Sequence, residues 1–121
     1  MTAPAWIAVA ALGSGGAVVR FLIDSVISSR TGRVFPLGTL TINVSGSLLL
    51  GLLTGLALSG SALVLAGAAT IGSYTTFSTW MLETHRLGED GQFACGLLNI
   101  ASSIVLGLGG AALGRTIGVV L

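Results

Sequence analysis

The chain has 121 residues, 53% of them hydrophobic and 7% charged, with a formal net charge of +1. Soluble domains carry about 25% charged residues, so this composition cannot clothe a water-facing surface and describes a membrane protein. Arginine is the only strongly basic residue and forms no cluster, which gives a nucleic-acid backbone nothing to bind. The single cysteine, Cys95, excludes an intrachain disulfide and any paired-cysteine metal or redox motif.

The uncharged stretches set the spans, each needing about 20 residues. Met1 to Val19 supplies one, the uncharged run from Val34 to Leu82 is long enough for two, and Gly91 to Gly114 supplies a fourth. Helix 1 is expected over 4–29. Nothing basic precedes it and Ala17-Val18-Val19-Arg20 is a poor cleavage sequence, so it reads as a span and not as a signal peptide. Arg20 and Asp24 stand four apart within it and are expected to pair on one face. Arg30-Thr31-Gly32-Arg33 connects to helix 2, expected over 36–58, with Pro36 suited to a helix start. Ser59-Gly60-Ser61 is a tight turn, and helix 3 is expected over 62–86. Leu87-Gly88-Glu89-Asp90-Gly91 then leads to helix 4, expected over 92–117. The apolar runs are continuous, not alternating, which excludes a membrane β-barrel. The fold class is therefore an all-α membrane protein of four transmembrane helices, with residues 1–121 forming one subunit.

Helix 3 cannot be uniform. Gly72-Ser73-Tyr74-Thr75-Thr76-Phe77-Ser78-Thr79-Trp80 puts hydroxyls and aromatics at membrane depth, where polar groups need partners or a water- or ion-lined cavity. A break is expected between Gly72 and Thr76. Past it, Phe77 and Trp80 are three apart and fall on one helical face. Helix 2 carries Thr39, Asn43, Ser47, Gly51 and Gly55 at intervals of four, and helix 4 repeats the pattern with Asn99, Ser103 and Gly107. Such stripes serve either as interhelical hydrogen-bonding glue or as a track of neutral donors for a small anion. Electropositive aromatic edges and the Trp80 indole N–H would add to the second role. Carbonyls freed at Gly72 to Thr75 would suit a hard monovalent cation. His85 has no metal-ligand companions and reads as interfacial. The pairs Gly51/Gly55, Gly110/Gly114 and Gly114/Gly118 have small-xxx-small spacing, for packing within the subunit or between subunits.

Most charge lies in the loops after helices 1 and 3, with Arg115 alone at the other end, so the positive-inside rule places both termini outside. The bias is small and is compatible with both orientations.

Gly15-Gly16-Ala17-Val18-Val19-Arg20, Gly38-Thr39-Leu40-Thr41-Ile42-Asn43 and Gly72-Ser73-Tyr74-Thr75-Thr76-Phe77-Ser78-Thr79, in that order on four spans, resemble the Fluc/CrcB family of fluoride channels along essentially the whole chain. The resemblance implies an antiparallel dual-topology dimer in the cell membrane that exports cytoplasmic fluoride passively and confers fluoride resistance. It implies a fluoride path at Asn43, Phe77, Trp80, Ser78, Thr79, Asn99 and Ser103, with Arg20 at a vestibule. It also implies a structural Na⁺ held by the backbone carbonyls of Gly72 and Thr75. Trp80 stands where the family has a second Phe, and Asn99 where it has a Tyr. Both departures admit a paralogous partner subunit in place of a second identical copy. A small multidrug exporter is the other reading, and it would need an intramembrane carboxylate; helix 1 offers only Asp24, near its end. No catalytic constellation or phosphate loop supports an enzyme.

Overall fold

The computed structural model describes residues 1–121 and contains helices only. Helix α1 spans Ala3–Thr31, two residues beyond the expected end; the Thr2 hydroxyl accepts the Ala5 N–H, and Gly32, at φ 80°, stops it. Helix α2 is shorter than expected, Leu37–Gly55, because the chain turns at Ala57, a non-glycine residue at φ 58°. The third span is composite. Its first half, α3, covers 60–74, and its second half, α4, is Ser78–Glu89. Helix α5 is Phe93–Val120. Three helices, α1, α2 and α5, are long and apolar enough to cross a membrane, and the bent third span completes a four-helix, multi-pass membrane protein.

The break lies slightly later than its glycine suggested. Gly72–Tyr74 are still helical, and the chain leaves the helix at Thr75, whose φ −81° and ψ 161° are extended. Upstream, Val64–Ile71 form a π-helix, which no residue pattern in the chain announces. Runs of this kind are rare and need compensation. Here the Thr70 hydroxyl donates to the Leu65 carbonyl at 2.8 Å, and Gly16 of α1 lets the Thr70 carbonyl approach closely.

Glycine governs how the helices meet. Side chains added at Gly51 or Gly55 would strike the carbonyls of Ala111 and Arg115, and side chains at Gly114 or Gly118 would strike those of Leu48 and Leu52. The small-xxx-small pairs thus join α2 to α5 within one chain, backbone against backbone. Only 15 of 121 residues are buried, and most large apolar side chains face outward. That distribution suits lipid and subunit contact, not water.

Candidate functional site

Asn43 organises the break. Its Nδ2 donates to the Thr76 carbonyl at 2.8 Å, and its Oδ1 accepts the Thr76 N–H at 2.9 Å. One side chain therefore satisfies both backbone groups of Thr76, which the interrupted helix leaves unpaired. Because the Thr76 N–H goes to Asn43, the Gly72 carbonyl does not receive it. The second Nδ2 hydrogen of Asn43 remains available.

Neighbouring contacts reinforce the clamp. Tyr74 and Ser45 share a hydroxyl–hydroxyl bond of 2.8 Å, and Gly46 leaves space for the Thr75 methyl. Arg20 reaches across from α1, and its Nη1 donates to the Thr75 carbonyl at 3.4 Å. The expected Arg20–Asp24 ion pair is absent. Asp24 instead accepts the Ser28 hydroxyl and packs against Gly38. Asp24 lines none of the four main cavities, and the carboxylates that do line one, Glu83 and Asp90, stand in the cavity at the loop end.

A groove of about 480 Å³ opens beside the break. Asn43 and Ser47 of α2, Thr75, Thr76, Phe77 and Trp80 of the third span, and Ser103 and Gly107 of α5 line it. The structure thus gathers Asn43, Phe77, Trp80, Ser103 and Thr75. Phe77 and Trp80 meet edge to face, with ring centroids 5.7 Å apart and planes at 83°. The Ser103 hydroxyl is buried and has no partner within the chain, a donor with free capacity. Ser47 is less available, since its hydroxyl donates to the Asn43 carbonyl at 2.9 Å.

Arg20, Gly72, Ser78, Thr79 and Asn99 do not line this groove. Thr79 belongs to the start of α4, where the Thr76 hydroxyl accepts its N–H at 3.2 Å. Ser78 is exposed on the same turn. Asn99 is fully buried between α4 and α5. Its Nδ2 donates to the Thr84 hydroxyl at 2.9 Å, that hydroxyl donates to the Trp80 carbonyl at 2.8 Å, and the Trp80 indole N–H returns to the Asn99 carbonyl at 3.3 Å. The indole donor expected to face the groove is therefore engaged within the protein. Sequence reasoning missed Thr84, although it stands four residues after Trp80.

A second cavity, about 440 Å³, sits at the loop end and is lined by Arg33, Arg86, Glu83 and Asp90 among others. Glu83 accepts the Thr39 hydroxyl at 2.5 Å. Of these arginines Arg33 belongs to the connector after α1 and Arg86 to the last turn of α4; Arg20 does not line this cavity. His85 is exposed and pairs with Glu89 at 2.6 Å.

The carbonyls of Gly72 and Thr75 fit a monovalent cation in part. Gly72 lacks the usual Thr76 donor, whereas Thr75 already offers one lone pair to Arg20.

Residues 7–115 match the family described as CrcB-like protein, Camphor Resistance (CrcB). Among curated relatives, the fluoride-specific ion channel FluC 2 of Mycobacterium tuberculosis (strain ATCC 25618 / H37Rv) is 54% identical over 117 residues, covering 97% of this chain and 93% of that one. The fluoride-specific ion channel FluC 1 of Symbiobacterium thermophilum is 43% identical over 119 residues, covering 93% and 96% respectively. The fluoride-specific ion channel FluC 1 of Leifsonia xyli subsp. xyli is 45% identical over 123 residues, covering 98% and 89%. With a helix break clamped by Asn43 and a family match spanning nearly all four helices, the chain belongs to the CrcB family.

Proposed function

We propose that this protein is a passive, fluoride-selective channel of the cell membrane and not an enzyme. The observation that carries the reading is the neutral groove at the break, where Asn43, Ser103 and the Phe77–Trp80 pair converge without any charged side chain. Its support from outside the structure is the name shared by relatives that align along almost the whole chain.

In this reading the donors are few and fixed. Asn43 is held by Thr76, so its remaining amide hydrogen is pre-oriented. Ser103 has its hydroxyl free for the anion, and Phe77 offers a ring edge. Neutral donors bind an anion without trapping it, which conduction requires. Trp80, tethered to Asn99, acts as a rigid wall beside Phe77. Ser78, Thr79 and Asn99 support that wall and the turn that carries it.

The working unit is a dimer with a second subunit in antiparallel orientation, surrounded by lipid. Phe77 is 71% exposed on a single chain at membrane depth, and a partner laid across the break would enclose it. The partner is a second copy of the chain or a paralogue, as the FluC 1 and FluC 2 names among the relatives imply. A Na⁺ at the dimer centre, held by the Gly72 and Thr75 carbonyls, would supply a fixed positive charge. Arg20 steadies the Thr75 carbonyl from the vestibule side.

The test is fluoride flux from vesicles with Asn43→Asp and Phe77→Ile variants. Each should lower flux at least about tenfold, the loss of roughly 1.4 kcal/mol of barrier lowering, while the subunits still assemble on size-exclusion chromatography. Undiminished flux in both would remove these residues from the path.

A further inference from the structure

The groove at the break does not end there. A smaller groove of about 320 Å³ continues from it, sharing Ser47, Leu50 and Ala111, and terminates at Arg115. On α5 the groove-lining residues Ser103, Gly107, Ala111 and Arg115 are four apart, one stripe along a single face. At 1.5 Å per residue the stripe carries the groove about 18 Å from Ser103 toward the membrane face opposite the arginine-bearing loops. Gly55 seats closely on the Arg115 carbonyl, which fixes the backbone that presents the guanidinium.

Arg115 is the only charged side chain on α2 or α5, and the His85–Glu89 contact lies at the other end. The nearby hydroxyls contribute little. Ser47 donates to the Asn43 carbonyl and Thr54 to the Gly51 carbonyl. An uncompensated cation at the mouth of a neutral groove with apolar walls raises the local concentration of anions. Arg115 is exposed, so an anion drawn to it is released as readily as it is captured.

We propose that Arg115 is a small-anion collection site at the groove end opposite the loops, supplying fluoride to the Asn43–Phe77 region. This role rests on the fluoride reading above and adds a residue that lies outside the motifs carrying that reading.

The experiment compares fluoride flux of wild type, R115K and R115Q in neutral phosphatidylcholine vesicles, at constant Na⁺, with ionic strength set by an impermeant salt. The screening length is about 30 Å at 0.01 M and about 8 Å at 0.15 M. At about 0.01 M, R115Q should be about three- to tenfold slower, with R115K within about twofold of wild type. At about 0.3 M the three should agree within about twofold. Ala112→Glu places an acid in the same groove while leaving Arg115 in position, and it should slow flux at low ionic strength even if R115Q fails to assemble. Equal rates at low ionic strength, or a deficit unchanged by salt, would overturn the role. So would a deficit that appears only when anionic phosphatidylglycerol is included, which would assign Arg115 to lipid phosphate. Asn43→Asp should lose flux at every ionic strength. A wild-type protein that moves no fluoride at any ionic strength would overturn the fluoride reading, and this site with it.

Discussion

Asn43 uses both ends of its amide on the two backbone groups of Thr76, and a second closed circuit lies one turn further along. Trp80, Thr84 and Asn99 are linked by three hydrogen bonds that leave no donor of the group unmatched except the outer amide hydrogen of Asn99. Thr84→Val would leave the Asn99 Nδ2 buried without its acceptor, at a cost of about 1–3 kcal/mol. We expect Thr84→Val to lower the midpoint of thermal unfolding in detergent, and in a Trp6→Phe background to shift the emission of Trp80. Thr84→Ser, which keeps the hydroxyl, should match the parent in both measurements. An unchanged midpoint for Thr84→Val would mean that the circuit does not hold the indole. The sequence displayed the residue types of both circuits, and the stripe of Asn43 and Ser103 led to the groove. It could not display direction. Asn99 shares the spacing of Ser103 but is turned fully into the α4–α5 contact, and the Trp80 indole finds a backbone carbonyl, a partner that no side-chain pattern reveals. Arg20 shows the same limit: a local Asp24 lies at good helical spacing, yet its guanidinium donates to the Thr75 carbonyl at the break of the third span.

At the scale of elements, glycine decides which helices touch. Gly114 and Gly118 meet the α2 backbone, whereas Gly15 has nothing within 4 Å of where a Cβ would stand. Gly114→Val should therefore force α2 and α5 apart, costing about 1–3 kcal/mol or more from overpacking. Gly15→Ala should be neutral or stabilising by about 0.5–1 kcal/mol. The yield of monodisperse protein and its unfolding midpoint distinguish the two, and equal behaviour would refute backbone-to-backbone packing as the basis of the α2–α5 contact. The spacing of these glycines was legible. Their partners were not, because small-xxx-small pairs serve contacts within and between subunits equally well. The break in the third span was legible from its hydroxyls and Gly72. The π-helix before it was not, since it arises from α1 packing: Gly16 admits the Thr70 carbonyl, and Gly13 lies against Ser73.

At the scale of the molecule, a single chain leaves much of its surface apolar and uncovered. Few residues are buried, the Phe77 ring stands exposed at the break, and the groove is open along one side. The same absence of an interior explains why composition identified the class so directly: most faces are apolar, and hydroxyls that stand on them, such as Ser14, Ser25 and Thr116, donate back to their own helix. Charge is distributed in the same way, with mixed-sign loops at one end and Arg115 at the other. An antiparallel pair would give both membrane faces the same character and place a groove end with its arginine on each side.

The central claim is a path that admits fluoride and refuses larger halides. Its most direct test is passive efflux from liposomes containing this chain alone, with Na⁺ present, following fluoride and chloride in parallel. The account predicts rapid fluoride loss with chloride retained. Chloride leaving as fast as fluoride, or no fluoride loss from folded, assembled protein either alone or with a paralogous subunit, would contradict it.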